Sequence, residues 1–563
     1  RATRLEDGRL RVEVPYRGAD LMAEPLYSKG SAFTAAERRT FGLEGLLPET
    51  VSTIEQQARR VYANICRKTE PIERYIGLAA LQDRNEHLYY RVLLDHLEEL
   101  LPIVYTPTVG QASKEYSHIY RQGRGLWITP EHRGRIAGVL ANWRFSNVRL
   151  AVVTDNQAIL GIGDQGAGGI VIPVGKLSIY CAAAGIHPAE ALPVSLDVGT
   201  DNRELLDDPL YLGWRRPRLR GADYDSLVEE LVEAMVDLFP GVLLQWEDFS
   251  KSNAFALLER YRERLPSFND DVQGTGAMTL AGVLTACRIT GERLPDQRVV
   301  IVGGGAAGIG IGRQLRAAMA SEGAGEDVLA RAIAVLDSRG LIVDDREGLD
   351  AYKRELAWPA ELASEMGLPG QSDLRTVVRT LRPTVLVGTS GQPGIFDEEM
   401  VRGLAAAVER PVVMPLSNPT ANSEAQPEDL VRWTEGRALI GTGSPFAPVA
   451  WEGSEIRIGQ GNNAFIFPGV GLGVLVAEAR QVSDGMFNAA ARALAHSVSD
   501  RGLDRGALYP RMSRLREVTA EVAAAVVRQA REEGLGRPIE DEKVGAAVAA
   551  AMWEPAYPEL EPV

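Results

Sequence analysis

Cysteine, histidine and lysine are all scarce in this chain. The three cysteines, Cys66, Cys181 and Cys287, are scattered. They offer neither a disulfide framework nor a Cys-x-x-Cys metal pair, and a reducing, cytoplasmic compartment is expected. None of the six histidines stands at a recognisable spacing from an acid or a cysteine, so a histidine-based mechanism is not indicated. No run of about 18 apolar residues stands out, and no membrane span is expected. The opening, RATRLEDGRLRVEV, has no apolar core of a signal peptide; it also lacks Met, as in a trimmed chain. Positive charge is short: 61 basic residues against 76 acids leave a net charge of -15. That argues against nucleic acid or an anionic membrane as the main partner. There is no internal repeat and no low-complexity segment.

What is present is an ordinary globular composition, 45% apolar and 24% charged, with 57 Gly and 31 Pro. At 563 residues the chain is long enough for two or more domains. Residues 32–125 read as helical, because capping residues and apolar residues at three- and four-residue spacing recur through STIEQQARRVYANI and NEHLYYRVLLDHLEELL. From about 148 short apolar strands alternate with helices: VRLAVVTD, AILGIG, an apolar run GIVIPVGKLSIYCAAAG leading into a helix, LPVSLDVGT and GVLLQWEDF. The alternation predicts a parallel sheet in an α/β domain. It restarts at 297 with QRVVIVGGGAAGIGIGRQLRAAM, RAIAVLDSRGLIV, PTVLVGTSG, PVVMPLSNPT and RALIGTGSP. Residues 475–535 read as helical again, and the Pro-rich tail WEPAYPELEPV is expected to lie along the surface.

Four constellations carry chemistry. The loop Gly303-Gly304-Gly305-Ala306-Ala307-Gly308 follows a strand and opens a helix, the context in which G-x-G-x-x-G holds a dinucleotide pyrophosphate at a helix N-terminus. Asp337, ending the strand AIAVLD, is placed to accept from an adenine ribose. Ser338 and Arg339 follow it, with Lys353 and Arg354 downstream, and these favour NADP over NAD. The second constellation is two acidic pairs, Glu247-Asp248 after LLQW and Asp270-Asp271 in FNDDVQG. Both follow strands, where ligands bind in parallel sheets. Carboxylates so gathered call for a divalent cation, and all-oxygen ligands suit Mg2+ or Mn2+. The third is Lys176 within the apolar IVIPVGKLSIY; burial and a nearby cation would depress its pKa toward neutrality and make it a general base. The fourth is Tyr105 in VYTPTVG, with the amides Asn418 in PLSNPT and Asn462-Asn463 in GQGNNAF. Each taken singly has a plainer reading: a snorkelling lysine, a core aromatic, turn amides.

Together these segments resemble the malic enzyme family, metal-dependent NAD(P) enzymes that oxidatively decarboxylate malate. The matching stretches are YTPTVG, ILGIGDQGAGGIVIPVGKLSIY, LDVGTDN, LLQWEDF, SFNDDVQGTG, PLSNPT, TGSPF and GNNAFIFPGVGLG, with KGSAFTAAERRTFGLEGLLP near the start. The likeness spans nearly the whole chain and is nearest to bacterial members. It implies an α/β fold with a helical N-terminal domain (1–123), a parallel-sheet α/β catalytic domain (124–270 with 460–531), a Rossmann-type NAD(P)-binding domain (271–459) and a tail (532–563). It implies Glu247, Asp248 and Asp271 as metal ligands and Lys176 as general base partnered by Asp270. Tyr105 would be the general acid, and Asn418 and Asn463 would contact substrate, with Asn418 and Asn462 also at the cofactor. A homodimer or homotetramer is implied. Arg60 and Arg84 stand where fumarate-activated members carry arginines, but helix-surface ion pairs are the simpler expectation.

One position departs from the pattern. Many members have an Arg before Ile-Leu-Gly that binds a malate carboxylate, and here Ala158 stands in its place. Malolactic enzymes, which make lactate without net oxidation, also lack that Arg, so a malolactic enzyme is the alternative. A 2-hydroxyacid dehydrogenase without a metal is disfavoured by the FNDD and WEDF acids. A non-catalytic nucleotide sensor is disfavoured by intact Lys176 and Tyr105.

Overall fold

The computed structural model describes residues 2–4, 10–368 and 370–563. The segments read as buried strands build two sheets. In the first, β1 (Leu126–Ile128), β2 (Leu150–Thr154), β3 (Ala191–Leu196), β4 (Leu243–Glu247) and β5 (Ser267–Asn269) lie in the order β1-β3-β2-β4-β5, all parallel. Every residue of β2, β3 and β4 is buried, because helices cover both faces; such strands read as continuous apolar runs rather than alternating ones. The strand order reverses at β2, which has β3 on one side and β4 on the other. A ligand crevice forms beyond the carboxyl ends at such a reversal, and the carboxyl end of β4 carries Glu247.

The second sheet contains β6 (Val299–Val302), β7 (Ile333–Asp337), β8 (Gly340–Leu341), β9 (Val385–Gly388), β10 (Val412–Pro415), β11 (Leu439–Thr442) and β12 (Gly459–Gln460), in the order β8-β7-β6-β9-β10-β11-β12. Only β8 runs antiparallel to its neighbour. This is a Rossmann-like arrangement, and its reversal lies between β6 and β9. Helices fill residues from Gly18 to Ile119, and Phe467–Ala477, Asp484–His496 and Leu515–Glu532 return over the first sheet's side of the molecule.

Three expectations differ from what is seen. AILGIG forms no strand; it is a loop with one isolated bridge, Ile159 to Gly163, and Leu160, Gly161 and Gly163 have φ of 42°, 72° and 84°. Left-handed residues at that density stop a strand from propagating. The helical run Gly166–Ala184 is long and apolar enough by composition to cross a membrane, which the sequence reading did not register. It is 94% buried inside the protein, so core packing accounts for its apolarity. The tail is also more than a surface segment. Glu559–Pro562 pairs in parallel with Leu10–Val14, Leu560 is buried, and the Tyr557 hydroxyl donates to Gln57 at 2.7 Å while accepting from Asn85 at 2.8 Å.

Two histidines flank Trp553, each with ring centroids 5.4 Å from it: His87, buried, and His187. Burial holds His87 down to about 3 and His187 down to about 4, against about 6.5 in an unfolded chain. The unfolded state therefore binds the proton first. Stability is whole above pH 6.5 and falls as pH drops toward 4, by about 2 kcal/mol per histidine between pH 6.5 and 5. Urea midpoints measured at pH 7.5 and 5.5 should show that loss, and His87→Gln should shrink it; an equal pH slope in the variant would refute the assignment.

Candidate active site

The two acidic pairs come together at the carboxyl end of the first sheet. Period two along β4 puts Gln245 and Glu247 on one face. The Gln245 amide donates to Glu247 Oε2 at 2.8 Å, while its oxygen accepts from the Tyr180 hydroxyl at 2.6 Å. Asp248 follows with φ 57°, turning its carboxylate back toward the strand end, and its Oδ1 accepts from Leu160 N at 3.4 Å. Asp271 Oδ2 accepts from Asp248 N at 2.8 Å. Glu247, Asp248 and Asp271 each present an oxygen within 4.8 Å of the others, and Asp248 Oδ2 is buried with no hydrogen-bond partner.

Asp270 and Asp271 divide between two partners. β5 ends at Asn269, and Asp270–Gly274 then wind through one wide helical turn capped by the Asn269 side chain. On that turn neighbouring side chains diverge, which sends Asp270 to the Lys176 amine and Asp271 to the carboxylate cluster. Gly274 has ordinary helical φ, so its purpose here is space: a Cβ there would run into the Asp270 carboxylate. Gly274→Ala should lower kcat by about tenfold or more, the penalty of displacing a positioned group, with cofactor KM little changed; unaltered kcat would contradict this packing.

Lys176, on the helix Val171–Ile179, is 1% exposed. Besides Asp270, its amine lies 3.0 Å from Glu247 Oε1, over the Phe467 ring at 4.4 Å and near the Tyr105 ring at 5.5 Å. Burial opposes its charge, yet Asp270 and Glu247 outweigh burial and hold the amine well above the usual lysine value. The expected depression toward neutrality is absent because its nearest charges are anions. The carboxylates move the same way. Burial, then mutual repulsion, pushes Glu247 and Asp248 well above the carboxylate range and Asp271 up to about 6. So many acids in one buried place hold their charge poorly without a further cation. Burial also raises the Tyr105 phenol.

These groups line one cleft of about 640 Å³ with Ala158, Lys251, Ala306, Ala307, Asn418, Asn462 and Asn463. Asn463 donates to Asp270 Oδ2 at 3.0 Å and to Thr275 Oγ1 at 3.0 Å. Asn462 Oδ1 caps the turn beginning at Asn463, accepting from Ala464 N at 2.9 Å. Asn418 Oδ1 accepts from the Ser444 hydroxyl. On the dinucleotide side, Gly303 ends β6 with φ 126°, Gly305 precedes the helix Ala306–Ser321, and a Cβ on Gly308 would strike the Gly303 carbonyl.

Asp337 is not free at the end of β7. Arg346 pairs with both its oxygens, at 3.1 Å to Oδ1, and Lys353 reaches Oδ2 at 2.5 Å. Burial resists ionisation, but these two cations outweigh it and draw the Asp337 carboxyl down to about 2. Lys353 is thus engaged rather than on a solvated face, whereas Ser338, Arg339 and Arg354 are exposed. Arg60 and Arg84 are exposed too, with no ion pair among the described residues. Sequence reasoning missed Gln245, Phe467, Thr275, Lys251 and Arg346. The i, i+2 spacing of Gln245 and Glu247 could have revealed the first; the others meet the site only through tertiary folding.

The fold and cleft define an α/β protein in which a parallel-sheet unit faces a Rossmann-like unit. The family models for the malic enzyme N-terminal domain and the malic enzyme NAD-binding domain match residues 82–262 and 272–531. The chain belongs to the malic enzyme family. A protein named NAD-dependent malic enzyme from Sodalis glossinidius is 48% identical over 545 residues, 97% of this chain and 96% of its own. One of the same name from Pseudomonas aeruginosa is 48% identical over 548 residues, 97% of each chain. Among solved structures, Entamoeba histolytica malic enzyme aligns with a TM-score of 0.57 at 22% identity, covering 91% of this chain and 90% of that one. Malic enzyme from Pyrococcus horikoshii aligns at 0.54 and 24%, covering 81% and 89%; these two likenesses speak to the fold.

Proposed function

We propose that this protein is an NAD-dependent malic enzyme, converting (S)-malate to pyruvate and CO2 with reduction of the dinucleotide. The observation that carries the reading is the Lys176 amine, held by Asp270 and Glu247 in the same cleft as a three-carboxylate cluster and a dinucleotide glycine loop. The cluster fits Mg2+ or Mn2+: three acids converge, and Asp248 keeps an unpartnered buried oxygen. A divalent cation held by Glu247, Asp248 and Asp271 would polarise substrate oxygens and offset carboxylate charge.

Lys176 in its neutral form takes the proton from the carbon-2 hydroxyl as hydride leaves carbon 2 for the nicotinamide. Asp270 and Glu247 then stabilise the ammonium so formed. Loss of the carbon-4 carboxylate as CO2 leaves the enolate of pyruvate, and Tyr105, beside Lys176, protonates carbon 3. Asn463 keeps Asp270 oriented, and Asn418 and Asn463 offer amides to the substrate carboxylates. Glycines 303, 305 and 308, with Ala306 and Ala307, form the pyrophosphate seat. The relatives' names support NAD in place of the NADP favoured by Ser338 and Arg339. Asp337, kept ionised by Arg346 and Lys353, is suited to accept from ribose hydroxyls. A homodimer or homotetramer is the assembly we expect.

No arginine lines the cleft, and Ala158 occupies its wall. Ala158→Arg should supply a bidentate partner for a malate carboxylate and lower the KM for malate about tenfold or more, the effect of one charge-assisted hydrogen bond; an unchanged KM would mean that another group already binds that carboxylate. The same Ala158 keeps a malolactic outcome as the second reading. An assay with malate, Mn2+ or Mg2+, and NAD or NADP in turn separates them: pyruvate with reduced cofactor, or lactate with none accumulating.

A further inference from the structure

Lys251 is the second basic side chain lining the cleft, and Lys176 is the other. It opens the helix Lys251–Tyr261, three residues beyond Asp248, and its amine leaves the first sheet's unit altogether. Nζ lies 2.6 Å from Asp350 Oδ2 and 3.5 Å from the carbonyl of Gly304. Gly304 belongs to the glycine loop, beside the N-terminus of Ala306–Ser321, and Lys353 flanks it from the other side. The Lys251–Asp350 pair is partly exposed, with side chains 25% and 44% accessible; a pair of that kind is weak and easily exchanged. Meanwhile the cleft holds Glu247, Asp248 and Asp271, so a doubly charged pyrophosphate enters a field short of positive charge.

We propose that Lys251 binds the cofactor pyrophosphate across the cleft, leaving Asp350 for the phosphate oxygens when the dinucleotide enters. This rests on the dinucleotide function proposed above and adds a specific group to it. The donor comes from the sheet that carries Glu247 and Asp248, so the same bond draws the glycine loop toward the reacting centre.

The rival account is a strut: Lys251 and Asp350 merely tie the two units together. Under that account, removing either partner has the same effect. The test compares wild type, K251A, K251R and D350N, the last keeping an Asn to cap Ala351–Arg354. KM for NAD and malate, kcat, and inhibition constants for ADP-ribose, which contains the pyrophosphate, and adenosine, which lacks it, would be measured, with melting curves as a folding control. K251A should weaken NAD and ADP-ribose about tenfold and leave adenosine and malate within about twofold. K251R should restore most of the loss, and D350N should leave ADP-ribose as tight as in wild type or tighter. Equal ADP-ribose constants in K251A and wild type, or matched losses in K251A and D350N, would overturn the proposal. A wild type that binds neither ADP-ribose nor NAD would instead overturn the dinucleotide reading and this inference with it.

Discussion

Lys176→Arg should lower kcat about a thousandfold while NAD affinity stays within about twofold. A positioned general base contributes about 10²–10⁴ in rate, and arginine cannot act as one because it stays protonated. It does keep a cation between Asp270 and Glu247, so the fold is spared. Lys176→Ala should be as inactive and also less stable. It would strand Asp270, whose second oxygen is already buried without a partner, beside Glu247. Breaking a buried ion pair on one side costs about 3–5 kcal/mol. Running the two variants together separates chemistry from folding. If Lys176→Arg turned over at the wild-type rate, Lys176 would not be the base.

Asp271→Asn is the second large effect, and its two consequences have opposite signs. Asp271 ionises only near pH 6 because it is buried among like charges. A carboxyl whose pKa is raised on folding stabilises when protonated and loses that contribution as pH rises through 6. At pH 7.5 the neutral amide should therefore stabilise the metal-free protein by on the order of 1 kcal/mol. Mn2+ at a hundred times its dissociation constant should add about 2.7 kcal/mol to wild type, and that gain should vanish in the variant along with activity. Melting curves with and without Mn2+ read both effects. A variant that still melts higher with Mn2+ would place the cation elsewhere.

Strands at the centre of both sheets were legible because parallel strands buried on two faces leave unbroken apolar runs: VVIV, VLVG and LAVV all lie in strands. The shortest strands, Leu126–Ile128, Ser267–Asn269 and Gly459–Gln460, carry too few residues for a pattern. AILGIG shows composition without conformation, since its glycines and Leu160 adopt left-handed backbone that no apolar count records. The family motifs named the residues of the site, and the turn at Asp270–Gly274 explains how two adjacent acids part company. The charge state of Lys176 was not legible, because it depends on which charges are nearest in space, and those are Asp270 and Glu247 from two different strand ends. The tie between Asp337 and Arg346 was hidden for the same reason: nine residues of turn and loop separate them.

The most direct test of the account follows reduced nicotinamide absorbance and products together, with (S)-malate, Mn2+ and NAD. The account predicts one pyruvate, one CO2 and one reduced cofactor per malate, dependence on the cation, and a slower reaction with NADP. Lactate accumulating in place of pyruvate with no net cofactor reduction, or turnover undiminished by a chelator, would contradict it.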